Sequence, residues 1–147
     1  MKKEKFPQIV IGNQFIKKVT NLIDKAQHSI DIIVFDWRVY PEGYAKQIES
    51  LNEAVAKASV DGLRVRALVN NINILNYLKA HGVKAKLYEK KNLLHTKLII
   101  IDSKIIVCGS HNYTERAMRS NEEVSIIIKL DSDDNELTQY FNNLYPL

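Results

Sequence analysis

Two hydrophobic patterns alternate along the first part of the chain. Apolar positions that recur three and four residues apart predict three helices, over 15–26, 44–58 and 72–81. Alternating or β-branched apolar runs predict three strands, over 30–35, 63–69 and 83–88. Strands separated by helices of this length are typical of βαβ units, in which helices cover the faces of a sheet. This part of the chain is therefore predicted to be an α/β structure.

The second half of the chain contains more closely spaced strands. The apolar runs 98–101 and 105–108 are joined by residues 102–104, a link that is short enough only for a hairpin. A further strand over 124–128 and a helix over 137–144 complete the pattern. The sequence predicts an α/β fold in which a mixed, largely parallel sheet is sandwiched between helices.

Polar side chains are concentrated at the open end of this hairpin. His95 and Lys97 lie two apart where the first strand begins, and Ser110 and Asn112 lie two apart where the second strand ends, so the members of each pair share a face. A hairpin that turns on residues 103–104 sets Lys97 opposite Ser110 and His95 opposite Asn112. Four polar groups are then expected on one patch.

These side chains suit a phosphodiester substrate. Lys97 and the Asn112 amide can hold the non-bridging oxygens and stabilise charge at phosphorus, while a neutral His95 imidazole can attack the phosphorus. This division of labour needs no metal ion, and the sequence shows neither clustered carboxylates nor a His/Cys ligand set. The prediction is a phosphodiesterase that uses no metal and no other cofactor.

The segment from His95 to Asn112 also matches a known signature. It reads His-x-Lys-x4-Asp-x6-Gly-Ser-x-Asn without a gap and resembles the phospholipase D superfamily; residues 121–123, Asn-Glu-Glu, are similar to that family's Asn-x-Glu. The resemblance implies a covalent phosphohistidine intermediate, with one histidine as nucleophile and a second, from a second motif copy, as general acid. The length and the single motif are similar to the small bacterial endonucleases of the superfamily.

The remaining positions of the signature are expected to have different roles. Asp102 lies seven residues beyond His95, about 23 Å away along a strand, so it is predicted to be a turn residue that fixes the hairpin register. Gly109 is expected to be a structural residue of the motif. Glu123, at the position of the family's Asn-x-Glu, is the expected partner of the His95 ring, and Glu122 is the alternative.

Three further residues are weaker candidates for substrate contact. Trp37 and Arg38 follow the first long strand at its C-terminal end, where α/β sheets place ligands, and can offer a stacking ring and a phosphate contact. An exposed loop cluster without function is the alternative. His111 lies between two site residues, and strand alternation points it to the opposite face, which favours packing or a place on the substrate rim over catalysis.

Composition and charge bear on the number of domains, the charge of the substrate and the cellular location. The 147 residues are 46% hydrophobic, which suits one domain over residues 1–147, and the net charge of +4 is compatible with a polyanionic substrate without requiring one. Cys108 is the single cysteine, which excludes an intramolecular disulfide and favours a reducing compartment. No run approaches the ~18 apolar residues of a membrane helix. We expect a cytoplasmic protein without stable membrane association.

The function predicted from these features is hydrolysis of phosphodiester bonds in DNA, or in RNA. The alternatives are a phospholipid hydrolase or phosphatidyl transferase, and a non-catalytic module that binds nucleic acid. Attack by one imidazole leaves an alkoxide that requires a proton from a second group, yet the chain carries one motif. The sequence therefore predicts a homodimer in which two copies share an active site.

Overall fold

One twisted sheet organises the computed structural model, which describes residues 3–146. The strands are β1 (Gln8–Ile11), β2 (Ser29–Val34), β3 (Arg64–Val69), β4 (Lys84–Leu87), β5 (Lys97–Ile101), β6 (Ile105–Gly109) and β7 (Val124–Lys129). The helices are α1 (Gln14–Asp24), α2 (Lys46–Val60), α3 (Ile72–Ala80), α4 (Glu115–Arg119) and α5 (Glu136–Leu144). The strand order across the sheet is β1-β7-β6-β5-β2-β3-β4. The α/β class and the mixed sheet predicted from the sequence are confirmed.

The sheet is nevertheless less parallel than predicted. Of the six neighbouring strand pairs, β2–β3 and β3–β4 are parallel and the other four are antiparallel. The parallel pairs β2–β3 and β3–β4 are joined by crossovers through α2 and α3, whereas β5 and β6 are joined by a short turn and the link through α4 returns β7 antiparallel to β6. The expectation of a largely parallel sheet was wrong because β2 pairs antiparallel with β5 and β7 pairs antiparallel with both β1 and β6, contacts that the apolar spacing within each segment does not reveal.

Helices cover both faces of the sheet. On one face, α1, α2 and α3 pack on the larger hydrophobic core, to which β2 contributes Ile30, Ile32 and Val34. On the opposite face, Phe141 of α5 packs in a smaller core that includes Ile33 of β2. All six residues of β2 are buried, which explains why its sequence is a nearly continuous apolar run.

The hairpin of β5 and β6 is displaced by one residue from the predicted register. Leu98 pairs with Cys108, whereas a turn on residues 103–104 would have placed it opposite Gly109. The positive φ angles lie at Asp102 and Ser103, 53° and 62°, as in the tight turns that match strand twist. The ladder ends at Gly109, so Ser110 is positioned by the loop after β6.

Asp102 connects this turn to the start of β2. Its carboxylate accepts hydrogen bonds from the N–H groups of Gln27 at 3.0 Å, His28 at 2.7 Å and Ser29 at 3.1 Å. The N–H of Asp102 also donates to the carbonyl of Ser29 at 2.8 Å. The side chain thus satisfies backbone donors that the sheet ladder leaves without partners.

Candidate active site

His95 and Lys97 meet at the beginning of β5. His95 lies in the loop before the strand and is exposed, and Lys97 Nζ lies 3.1 Å from His95 Nδ1. Lys97 Nζ also lies 3.3 Å from His95 Nε2, so the ammonium, which can only donate, lies within hydrogen-bond reach of both ring nitrogens. Burial lowers the pKa of Lys97, and the negative charge of Glu123 opposes that shift.

Phe35 supports both of these side chains and was missed in the sequence analysis. Its ring centroid lies 4.9 Å from that of His95 and 5.6 Å from Lys97 Nζ. Phe35 directly follows β2, whose last residue, Val34, pairs with Lys97. The pairing of β2 with β5 is a long-range contact that apolar periodicity alone does not reveal.

Ser110 and Glu123 form the second part of the site. The Ser110 hydroxyl donates a short hydrogen bond to a Glu123 carboxylate oxygen and accepts one from the N–H of Val124 at 3.0 Å. The Asn121 amide donates to the other carboxylate oxygen of Glu123 at 3.1 Å. These contacts fix the loop after β6 against the beginning of β7.

The expected hydrogen bond between Glu123 and the His95 ring is not formed. Within residues 3–146, the hydrogen bonds of the Glu123 carboxylate go to Ser110 and Asn121, and the alternative carboxylate, Glu122, is exposed. Ser110 directly follows Gly109, which pairs with Ser125 of β7, and Glu123 directly precedes β7. The two residues are therefore neighbours, and the Ser110 hydroxyl donates its hydrogen bond to the Glu123 carboxylate. Glu123 therefore acts on the rest of the site electrostatically, because its negative charge raises the pKa of Lys97.

Asn112 joins the site to the loop after β2. Its side-chain oxygen accepts a hydrogen bond from the N–H of Asp36 at 3.1 Å. This contact orients the amide, so the carboxamide nitrogen is the end that can donate to a phosphate oxygen. Asp36 is a further positioning residue that the motif did not identify.

Gly109 lies where β6 and β7 approach most closely beside the site. A Cβ atom at this position would lie 2.5 Å from the carbonyl oxygen of Val124 and 2.6 Å from the hydroxyl of Ser125, and would also collide with the Ser125 Cα. Any other residue would push the two strands apart. Glycine is therefore required for Ser110 to reach Glu123.

His111 is a packing residue rather than part of a substrate rim. It is 1% exposed, its ring nitrogens bond the Ser125 hydroxyl at 2.7 Å and the Gly12 carbonyl at 2.9 Å, and the ring stacks on Phe15. Burial lowers the pKa of this imidazole. Of the two roles expected for His111, packing is the one observed, because both ring nitrogens are hydrogen-bonded inside the protein.

Trp37 and Arg38 have opposite environments. Trp37 is 1% exposed, and its indole N–H donates to the side chain of Asn52 at 2.6 Å, so the ring offers no stacking surface to a substrate. The segment after β2 turns Trp37 inward through a bridge to Tyr113. Arg38 is exposed, pairs with Asp36 at 3.0 Å and lines a cleft of about 670 Å³.

A comparison with models of known protein families identifies the family of this chain. The family model described as "Cardiolipin synthase, PLD-like domain" matches residues 19–145. The chain belongs to the phospholipase D superfamily. It is thus a member of a family of phosphodiesterases.

Individual relatives cover the chain to different extents. A phospholipase D of Rickettsia conorii is 30% identical over 131 residues, which are 85% of this chain and 59% of that protein. The chain therefore spans about three fifths of the length of this relative.

Among solved structures, Nuc from Salmonella typhimurium aligns with a TM-score of 0.79 and 18% identity over 96% of this chain and 95% of that one. NucT from Helicobacter pylori aligns with a TM-score of 0.70 and 18% identity, over 95% and 94% of the two chains.

Among residues 3–146 of this superfamily member, no group of three or more His, Cys, Asp or Glu side chains is placed to hold a metal ion. None of the helices in the same range combines the length and apolar character needed to cross a bilayer.

Proposed function

We propose that the chain is a metal-independent nuclease that hydrolyses phosphodiester bonds in DNA, or in RNA, through a phosphohistidine on His95. The observation that carries this proposal is the 3.1 Å contact between Lys97 and the ring of His95. It places a cation that can bind phosphate beside an imidazole that can attack phosphorus. The ungapped signature supplies the same two residues.

The proposed reaction has two steps. A His95 ring nitrogen forms a bond to phosphorus as the bond to the leaving oxygen breaks, while Lys97 and the Asn112 amide stabilise the charge on the non-bridging oxygens. Water then attacks the phosphohistidine and releases the phosphate ester and free imidazole. Ser110 and Glu123 hold the loop that carries Asn112, and Glu123 balances the charge of Lys97.

One observation favours nucleic acid over phospholipid as the substrate. The cleft beside Asn112 is lined by three arginines, Arg38, Arg116 and Arg119, as suits a substrate with several phosphates.

We also propose that two copies share one active site, because the alkoxide that leaves phosphorus requires a proton that a second His95 would donate. An apolar patch supports this arrangement. Exposed side chains on β1 and β7 face each other in two pairs, Ile9 with Ile126 and Ile11 with Val124, and each is between 36% and 55% exposed. The patch adjoins Glu123 along β7, so a second copy seated on it lies next to the site.

The patch can be tested separately from catalysis. Ile9→Glu should convert the dimer to a monomer in analytical ultracentrifugation, because a carboxylate on the contact surface loses its hydration when the copies pair. Ile72→Glu, which changes an equally exposed isoleucine on α3, should remain dimeric. A dimer that persists with Ile9→Glu would show that the copies meet elsewhere, and a monomeric parent protein would reject the dimer.

The substrate and the metal requirement can be decided in one paired assay. The protein, freed of metals with excess EDTA, is given plasmid DNA and phospholipid vesicles in parallel, with His95→Asn as the blank. We expect the plasmid to be cut at an undiminished rate in EDTA and the vesicles to release no headgroup. Cleavage of lipid alone would reject the nuclease, and activity lost in EDTA and restored by magnesium would reject the metal-free mechanism.

A further inference from the structure

A cleft next to Asn112 has the composition of a binding site for an unpaired nucleotide. It has a volume of about 670 Å³ and lies between the segment that follows β2 and helix α4. Asn112 and Asp36 form the part of its lining that is shared with the active site. A chain of nucleotides with its scissile phosphate at His95 would therefore continue into this cleft.

One wall of the cleft presents an exposed and supported aromatic ring. Tyr44 is 69% exposed, and its ring stacks on Tyr40 with centroids 5.8 Å apart and an angle of 26° between the planes. Tyr40 is held in place because its hydroxyl accepts a hydrogen bond from the N–H of Glu115 at 2.8 Å. Most of the Tyr44 ring thus remains in solvent although its position is fixed, which is an arrangement suited to stacking a flat ligand.

Arginines on both walls of the cleft supply positive charge. Arg119 pairs with Glu115 at 3.0 Å across one turn of α4, and Arg38 pairs with Asp36. Arg116 makes no salt bridge to any residue within 3–146, which leaves its guanidinium for an anionic ligand. The charge of Arg116 makes the cleft unfavourable for a quaternary ammonium headgroup, a cationic ligand class that aromatic rings also bind.

We propose that this cleft binds a single-stranded stretch of nucleic acid, with a base stacked on Tyr44 and a flanking phosphate on Arg116. The inference rests on the proposed nuclease function and adds a preference for unpaired strands. In a duplex both faces of each base are covered by neighbouring pairs, so a base can reach Tyr44 only after it has been unstacked. A single strand does not have to meet that cost.

Stacking of a base on Tyr44 is tested by binding measurements in the full chain carrying His95→Asn, which prevents cleavage. Fluorescence anisotropy is recorded with labelled single-stranded and duplex DNA of the same sequence. Tyr44→Ala should weaken binding of the single strand about 5- to 150-fold, the range that follows from loss of one stacking contact, whereas Tyr44→Phe should bind like the parent. The single strand should bind more tightly than the duplex.

The phosphate contact of Arg116 is tested by the salt dependence of the same binding measurement. Arg116→Ala should reduce the slope of log K against log salt by about 0.7, as expected for one lost phosphate contact on a single strand. Lys79→Ala, which removes an exposed cation on α3 outside the cleft, should leave the slope unchanged. Circular dichroism melts check that each variant is folded.

Equal binding of the single strand by folded Tyr44→Ala and Tyr44→Phe variants, or tighter binding of the duplex, would overturn the inference. Neither result would affect the nuclease proposal, since cleavage by the wild-type chain is scored in its own assay. A chain that neither cleaves nor binds DNA would instead reject the nuclease, and the inference with it.

Discussion

The two ends of the β5–β6 hairpin belong to one signature but have different environments. At the turn, the Asp102 carboxylate accepts hydrogen bonds from the backbone of residues 27–29, so its capacity is used inside the fold. At the open end, His95 is exposed, and its ring contacts Lys97 and Phe35 while the rest faces solvent. The comparison teaches that a single motif contains residues that build the hairpin and residues that are available to a substrate.

The distance between the two ends explains this separation. Asp102 and His95 lie at opposite ends of a buried strand, so the carboxylate cannot orient the imidazole. The turn end fixes where β5 begins and ends relative to β2, and through the pairing of Val34 with Lys97 it sets the position of the open end. Variants at the open end should therefore lower activity, and variants at the turn should lower the free energy of unfolding.

His95→Asn is expected to have the largest effect on activity. Turnover of DNA should fall below a few per cent of wild type, because the change removes the group that forms the bond to phosphorus. The free energy of unfolding, from urea titration, should change by less than about 0.5 kcal/mol, as is usual for an exposed side chain. Activity that survives in a folded variant would remove His95 from the mechanism.

Dimers that contain one wild-type and one mutant chain test whether two copies share an active site. Wild-type and His95→Asn chains are refolded together in equal amounts, and tagged copies verify that exchange is complete. If each dimer has one shared site, about a quarter of the dimers carry both histidines, so about a quarter of the wild-type activity should remain. Activity that declines in proportion to the fraction of mutant chains would instead indicate that each chain works alone.

Asp102→Ala should have the smallest effect on chemistry and a large effect on stability. Loss of the acceptor for several backbone N–H groups should lower the free energy of unfolding by about 2–4 kcal/mol. Below the unfolding transition, turnover should stay within about threefold of wild type, since the side chain does not reach the site. Asp24→Ala, at the exposed end of α1, is the matched control and should unfold like wild type. A stable but inactive Asp102→Ala protein would contradict the separation of the two ends.

The sequence was most informative where the determining contacts are local. Helices α1, α2, α3 and α5 and the longer strands were predicted because apolar spacing within one segment reports its buried face. Strand β1 was missed although β4 is equally short, because residues 8–11 lack the alternation that marked 83–88, and the five residues of α4 are too few for helical periodicity. The register was wrong by one because positive φ angles at Asp102 and Ser103, neither of them glycine, moved the turn.

The site was predicted less completely than the fold. The identities of His95 and Lys97 followed from the signature, but their support by Phe35 depends on the pairing of β2 with β5. Trp37 was expected at the surface because it follows a strand end, yet its indole finds a buried partner in Asn52. The partner of Glu123 was also assigned incorrectly, since no sequence pattern indicates that the Ser110 hydroxyl lies closer to it than the histidine ring.

The central claim, that His95 carries the phosphoryl group during turnover, can be measured by trapping. Wild-type protein and excess single-stranded DNA are mixed, quenched in alkali during steady-state turnover, digested and analysed by mass spectrometry. We predict a nucleotide joined through phosphorus to the imidazole of His95, present in the wild-type chain and absent from His95→Asn. A site on Ser110 or another residue, or no adduct at all while product accumulates, would contradict the account.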